Sequence, residues 1–141
     1  MSGRVLIVED EMLIGLEIEA TVEDLGLESI GIAADTRTAL DLASHGPDIA
    51  LVDLNLRDGL TGPKIGETLA RDMGITVVFV TANPRLVSQG EYGALGVVEK
   101  PVDSETLSSV ISYALNHHYR LPATPPAMFI ALPNSAAELT G

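Results

Sequence analysis

The sequence predicts an α/β fold, a doubly wound five-stranded parallel sheet, and three observations carry that prediction. Short unbroken apolar runs recur at Val5–Val8, Ile49–Val52, Val77–Val80 and Leu95–Val98, the pattern of strands buried on both faces. Segments with apolar residues at helical spacing alternate with these runs. Residues suited to starting or stopping a helix stand at the joins between the two.

Taken in order, Val5-Leu6-Ile7-Val8 is the first strand. Ile14, Ile18, Val22 and Leu25 form the inward stripe of the first helix, which Gly26 ends because a left-handed residue is needed there. Ser29–Ala33 supplies the second strand, Thr36–Ala43 a helix before Gly46-Pro47, and Ile49–Val52 the third strand. Pro63 opens a third helix that reaches Asp72, since the N–H it lacks would be unbonded at a first helical position. Beyond the two remaining strands, Asp103 caps a last helix whose stripe is Leu107, Val110, Ile111, Ala114 and Leu115. Five successive strand–helix units imply a parallel sheet with helices on both sides.

A chain of 141 residues fits one domain. It has no cysteine, which excludes disulfides, thiolate metal sites and cysteine nucleophiles. The net charge of −12, with eight Lys and Arg that form no run, argues against direct nucleic-acid binding, which needs clustered cations to neutralise phosphates. Met1–Arg4 is followed by only four apolar residues, too few for a signal peptide or a membrane span, so a cytoplasmic protein is expected. The domain is expected over residues 1–119. Residues 120–141 form a Pro-rich tail, too short for an effector domain and frayed by default, although Ala127–Leu132 is apolar enough to dock.

The chemistry resides in polar residues placed at strand ends. Glu9, Asp10 and Glu11 follow the first strand, Asp53 ends the third, Thr81 the fourth and Lys100 the fifth. In an open parallel sheet these ends share one crevice, so the side chains should converge. One acidic residue after a strand is commonly just a helix cap; four such coincidences in order point to a site. Gathered carboxylates repel and need a cation. Mg²⁺ takes a few carboxylate oxygens together with waters and phosphate oxygens. A deprotonated Asp can act as nucleophile toward a phosphoryl group, and Lys100 and Thr81 can neutralise and hydrogen-bond the transferred oxygens.

This order of residues resembles the receiver domain of bacterial response regulators, single-domain and chemotaxis-receiver-like, over about residues 4 to 119. The resemblance implies a flavodoxin-like (βα)₅ fold with strand order 2-1-3-4-5. It implies Mg²⁺ binding by Glu9, Asp10, Asp53 and the backbone carbonyl of Asn55, and a cis bond between Lys100 and Pro101. It further implies phosphorylation of Asp53 by a histidine kinase or a phosphotransfer protein, output through a downstream protein target, and catalysis limited to the chain's own phosphoryl transfer and dephosphorylation. The side chains of Asn55 and Asn83 would tune phosphoryl lifetime. Val77–Pro84 (VVFVTANP) is similar to the Phe-x-Thr motif of the FAT GUY receivers, which implies a partner kinase of the HWE type and a role in stress signalling.

Two departures from the common receiver pattern shape the expected switch. Val97 stands where many receivers carry an aromatic gate, and Thr81 and Lys100 are only 19 positions apart with Gly90, Gly93 and Gly96 between them. A regular fourth helix is therefore not expected, and the conformational adjustment should fall on residues 82 to 96, forming the output face with the fifth strand and last helix. Two rival functions remain: a haloacid-dehalogenase-like phosphatase, which would need D-x-D on the first strand, and an inactive receiver-like binding module. His45, His117 and His118 do not have the spacing of a metal site. No nucleotide-binding glycine motif occurs.

Overall fold

The computed structural model describes residues 2 to 133. Its strands are β1 (Arg4–Val8), β2 (Glu28–Ala33), β3 (Ile49–Val52), β4 (Thr76–Thr81), β5 (Gly96–Glu99) and β6 (Ile130–Ala131), in the sheet order β2-β1-β3-β4-β5-β6. Neighbours among β1 to β5 are parallel, in the expected order, and β6 adds an antiparallel strand to β5. The helices are α1 (Met12–Asp24), α2 (Thr36–Ala43), α3 (Gly62–Glu67), which continues as a π-helical turn over Thr68–Asp72, α4 (Arg85–Ser88) and α5 (Ser104–His118).

Each strand sends alternate residues to opposite faces, as the pleat requires, and both faces are covered. Val5, Ile7, Ile49, Leu51, Val78 and Val80 pack with Ile18 and Val22 of α1 and with Val110, Ile111 and Leu115 of α5. Leu6, Val8, Ala50, Val52, Val77 and Phe79 pack with Ala39 and Ala43 of α2 and with Ile65 and Leu69 of the third helix. Burial on two sides explains why these strands lack polar alternation.

The helix signals hold where they were expected. Asp103 accepts the Thr106 amide at 2.7 Å and Gly26 adopts φ 78°. Asp35 caps α2 in the same manner, accepting from the Thr38 amide at 2.9 Å. The fourth helix is a single turn, as the glycine-rich interval foretold; the Arg71 guanidinium donates to the Glu91 carbonyl at 2.8 Å and Tyr92 packs edge-on against Phe79 at 5.8 Å.

The frayed-tail expectation does not hold for residues 129 to 132, so the folded unit extends past the boundary drawn after Tyr119. Phe129 meets Tyr113 of α5 edge-on at 5.1 Å, and Leu132 is 1% exposed in the core on the α2–α3 face. Gly96 permits this approach, because a Cβ there would run into the Phe129 ring and the Ile130 carbonyl. Apolar burial at the sheet margin outweighs the entropy of ordering a few residues. The rest of the tail, from 134 on, lies outside the described residues.

Leu132→Ala is expected to lower the unfolding free energy by about 2–3 kcal/mol through loss of a buried side chain. Ile130→Ala, at a half-exposed position two residues earlier in β6, should cost only about 0.5 kcal/mol. Urea midpoints of the two variants decide; equal losses would show that pairing rather than Leu132 burial holds the tail.

Candidate functional site

The carboxyl ends of β1, β3, β4 and β5 open on one side of the sheet, and ladder bonds extend one residue past three of these strands. The Glu9 amide donates to the Ala33 carbonyl at 2.8 Å, the Asp53 amide to Val8 at 2.9 Å and the Lys100 amide to Thr81 at 2.9 Å. The backbones of Glu9, Asp53 and Lys100 are therefore positioned by the sheet rather than by loop conformation. Gly62 adds a close approach: a Cβ there would collide with the Asp53 backbone carbonyl, so only glycine lets α3 begin this near the site.

The side chains converge as expected. The Lys100 ammonium donates to Glu9 Oε1 at 2.5 Å and to Asp53 Oδ2 at 2.8 Å, bridging two acids that lie 91 and 47 positions away in sequence. Asp53 Oδ1 accepts the amide of Leu54 at 2.7 Å, and Glu9 Oε2 accepts the amide of Glu11 at 3.1 Å. The Thr81 hydroxyl, 1% exposed, accepts the Asn83 amide at 3.1 Å. The Lys100–Pro101 bond is cis. Asn55 and Asn83 are exposed beside the acidic residues' loops.

Glu9, Asp10 and Asp53 each offer a carboxylate oxygen, and these three oxygens lie within 4.8 Å of one another. Three hard anionic donors at that spacing suit a divalent cation with oxygen preference. Burial pushes the Glu9 carboxyl above its ordinary value, although Lys100 and the Glu11 amide pull the other way. Burial also works against the charge of Lys100, but its hydrogen bonds to Asp53 and Glu9 prevail and hold the ammonium above its usual value. Lys100 further lines a cavity of about 620 Å³ walled by Ile14, Ile18, Val80, Val102 and Leu107, so apolar surface flanks the charged cluster.

The histidines take no part. His45 is exposed, and His118 sits at the opposite end of the sheet against Thr76 and Asp48, at 3.0 and 3.6 Å. Val97, fully buried in the core, has no room to swing as a gate. Sequence reasoning missed Asp58 and Thr61, whose side chains bond at 2.6 Å in the loop after Asp53. The Asp58-Gly59 dipeptide, a common turn signal, was the available clue.

Among the described residues no helix is long and apolar enough to cross a membrane. The chain is 36% identical over 118 residues to the phyllosphere-induced regulator PhyR of Methylorubrum extorquens, covering 82% of this chain and 44% of that protein. It is 30% identical over 125 residues to the transcriptional regulatory protein PdtaR of Mycobacterium tuberculosis, covering 85% and 60%. It thus spans about half the length of the curated relatives it matches. Among solved structures, the response regulator PhyR from Brucella abortus matches with a TM-score of 0.75 at 34% identity, over 85% of this chain and 50% of that chain. The PhyR response regulator REC domain of Erythrobacter litoralis, solved by NMR in solution, matches with a TM-score of 0.72 at 29% identity, over 89% and 96%. Residues 5–112 match the family model for the response regulator receiver domain, and the chain belongs to that family.

Proposed function

We propose that this chain is the phosphoacceptor of a two-component signalling system, with Asp53 as the residue that takes the phosphoryl group from a histidine kinase or a phosphotransfer protein. One observation carries the reading: a single ammonium, Lys100, joins Asp53 to a buried Glu9 at the convergent ends of four strands. A structural ion pair does not need Asp10 and a buried Thr81 hydroxyl beside it; a metal-assisted phosphoryl acceptor uses both, Asp10 toward the cation and Thr81 toward a phosphoryl oxygen.

Glu9, Asp10, Asp53 and the Asn55 carbonyl would hold Mg²⁺, which supplies the charge that neutralises the phosphoryl oxygens. The rest falls to the chain's own groups. Asp53 Oδ1 is held by the Leu54 amide, so the carboxylate is oriented before the donor arrives. A carboxylate oxygen attacks phosphorus in line, the O–P bond forms and the P–N bond to the kinase histidine breaks. Lys100 then shifts its donors from the carboxylate toward the new phosphoryl oxygens, and the Thr81 hydroxyl turns from the Asn83 amide to do the same. That turn pulls on residues 82 to 96, whose one-turn helix and glycines offer little resistance.

Output passes through protein contacts in the cytoplasm, on the face made by residues 82 to 96, β5 and α5. The PhyR proteins among the relatives support a place in stress signalling, since solved PhyR structures include a stress response regulator and an anti-anti-sigma factor. The Phe79-Val80-Thr81 motif supports the FAT GUY subgroup and a kinase of the HWE type.

With a small phosphodonor and Mg²⁺, intact mass should show one added phosphoryl group on wild type and none on Asp53→Ala; equal labelling would sink the assignment of Asp53. Mg²⁺ should raise the melting temperature by binding the folded state, and Asp10→Asn should blunt that rise; an unresponsive wild type would count against the metal ligands. A pH series without metal tests Glu9. Its folded-state pKa is raised, so the folded protein holds its proton longer than the unfolded chain, and this contribution to stability falls as pH rises from the unfolded value through the folded one. Glu9→Gln should lack that fall, so its stability relative to wild type should improve across that window; parallel curves would refute the burial effect.

A further inference from the structure

The loop joining β3 to α3 carries Asn55 between two buried leucines, Leu54 and Leu56, which are 0% and 6% exposed. Leu56 and Gly59 pair as a tight antiparallel bridge, with amide-to-carbonyl bonds of 2.8 and 3.0 Å. The turn between them is tied to the neighbouring layer. The Arg57 amide donates to the Ala34 carbonyl at 2.9 Å. Asp58 Oδ2 accepts the amide of Thr36, the first residue of α2, at 3.1 Å, and Asp58 Oδ1 accepts the Thr61 hydroxyl at 2.6 Å. Each oxygen of this one carboxylate therefore serves a different element, one the start of α2 and the other the far end of the loop itself.

We propose that Asp58 is a positioning residue for the phosphoacceptor site: its carboxylate clamps the Asp53–Thr61 loop against α2 and thereby fixes the Asn55 carbonyl for divalent-cation binding. The proposal rests on the reading of Glu9, Asp10, Asp53 and the Asn55 carbonyl as the Mg²⁺ ligands.

A backbone carbonyl has no rotamer with which to seek a metal, so its position is set wholly by the path of the chain. Mg²⁺ tolerates little departure from octahedral geometry, and groups that orient ligands commonly govern affinity by an order of magnitude or more. The leucines anchor the loop from below; Asp58 anchors its tip. Hydrogen bonds from Thr61 and then Thr36 hold the Asp58 carboxyl down at about 2, so it is an ionised acceptor for both donors at neutral pH. The alternative is that Asp58 merely caps α2. That role is already filled by Asp35, through the Thr38 amide. Thr61 offers a separate handle, because it makes no side-chain cap to α3 and its hydroxyl bonds Asp58.

Mg²⁺ titration of the full chain by calorimetry, paired with urea midpoints taken without metal, tests the clamp. Asp58→Asn and Thr61→Val should each weaken Mg²⁺ binding roughly tenfold, while Thr61→Ser, which keeps the hydroxyl, binds as wild type. Asp35→Ala, which removes the α2 cap, should lower the urea midpoint and leave Mg²⁺ affinity in place. Wild-type affinity in both Asp58→Asn and Thr61→Val would overturn the proposal. So would an equal loss in Asp35→Ala, which would reduce Asp58 to a helix cap, or a loss in Asp58→Asn without one in Thr61→Val, which would leave only its charge. If wild type itself takes up no Mg²⁺, the metal reading fails and the clamp's role goes with it.

Discussion

One ammonium group governs the carboxyl end of this sheet. Glu9 and Asp53 are both nearly removed from water, and with Asp10 they crowd three carboxylates into a space a few ångströms across. Two buried anions at that distance are compatible with a folded state only if positive charge sits between them. Lys100 provides it, and can do so because β5 ends where the residue just after it delivers its side chain toward β3 and β1. The strand order, the length of β5 and the cap that starts α5 after Asp103 are all conditions for that delivery. Breaking a buried pair by removing one partner commonly costs about 3–5 kcal/mol, so the site and the fold are coupled in energy as well as in position.

The same ammonium, with two backbone amides, gives both oxygens of each carboxylate a partner. Its two hydrogen bonds satisfy one oxygen each of Glu9 and Asp53, while backbone amides of Glu11 and Leu54 satisfy the other two. The two backbone amides thus keep both carboxylates oriented, and on the proposed reading only Lys100 and Thr81 would exchange partners with phosphoryl oxygens. Preorganisation of this kind is the usual source of catalytic advantage in phosphoryl transfer, where little covalent assistance is required.

Much of this was legible in the sequence, for identifiable reasons. Short continuous runs such as Val5–Val8, alternating with helical stripes, read as strands covered on both sides, and the strand ends of such a parallel sheet share one crevice, so the convergence of Glu9, Asp53, Thr81 and Lys100 came from that alternation. Asp103 and Gly26 marked helix ends because their chemistry is local. The residues that escaped act through distant partners that no local signature names. Asp58 lies on an exposed turn, and nothing in neighbouring residues indicates that its partner is the first amide of α2, 22 positions earlier. The docking of Phe129–Leu132 depends on a gap left beside Gly96, a property of the finished sheet rather than of the tail. The Lys100–Glu9 contact, spanning 91 positions, was expected in place but not as a pair.

The sixth strand also bears on how the molecule behaves among its own copies. A parallel sheet of five strands would leave the outer side of β5 as a row of unpaired amides and carbonyls, a template for another chain. Ile130–Ala131 takes up that side and is itself only two residues long, too short to seed further pairing. At the other margin, the register shift opposite Val5 and Leu6 and the φ of 139° at Gly31 interrupt the run of β2, and bulged strands are poor partners for edge-to-edge growth. A sheet edge closed in this way offers less open backbone for pairing with a second copy, and the closure is made by two residues of a tail whose composition looks expendable.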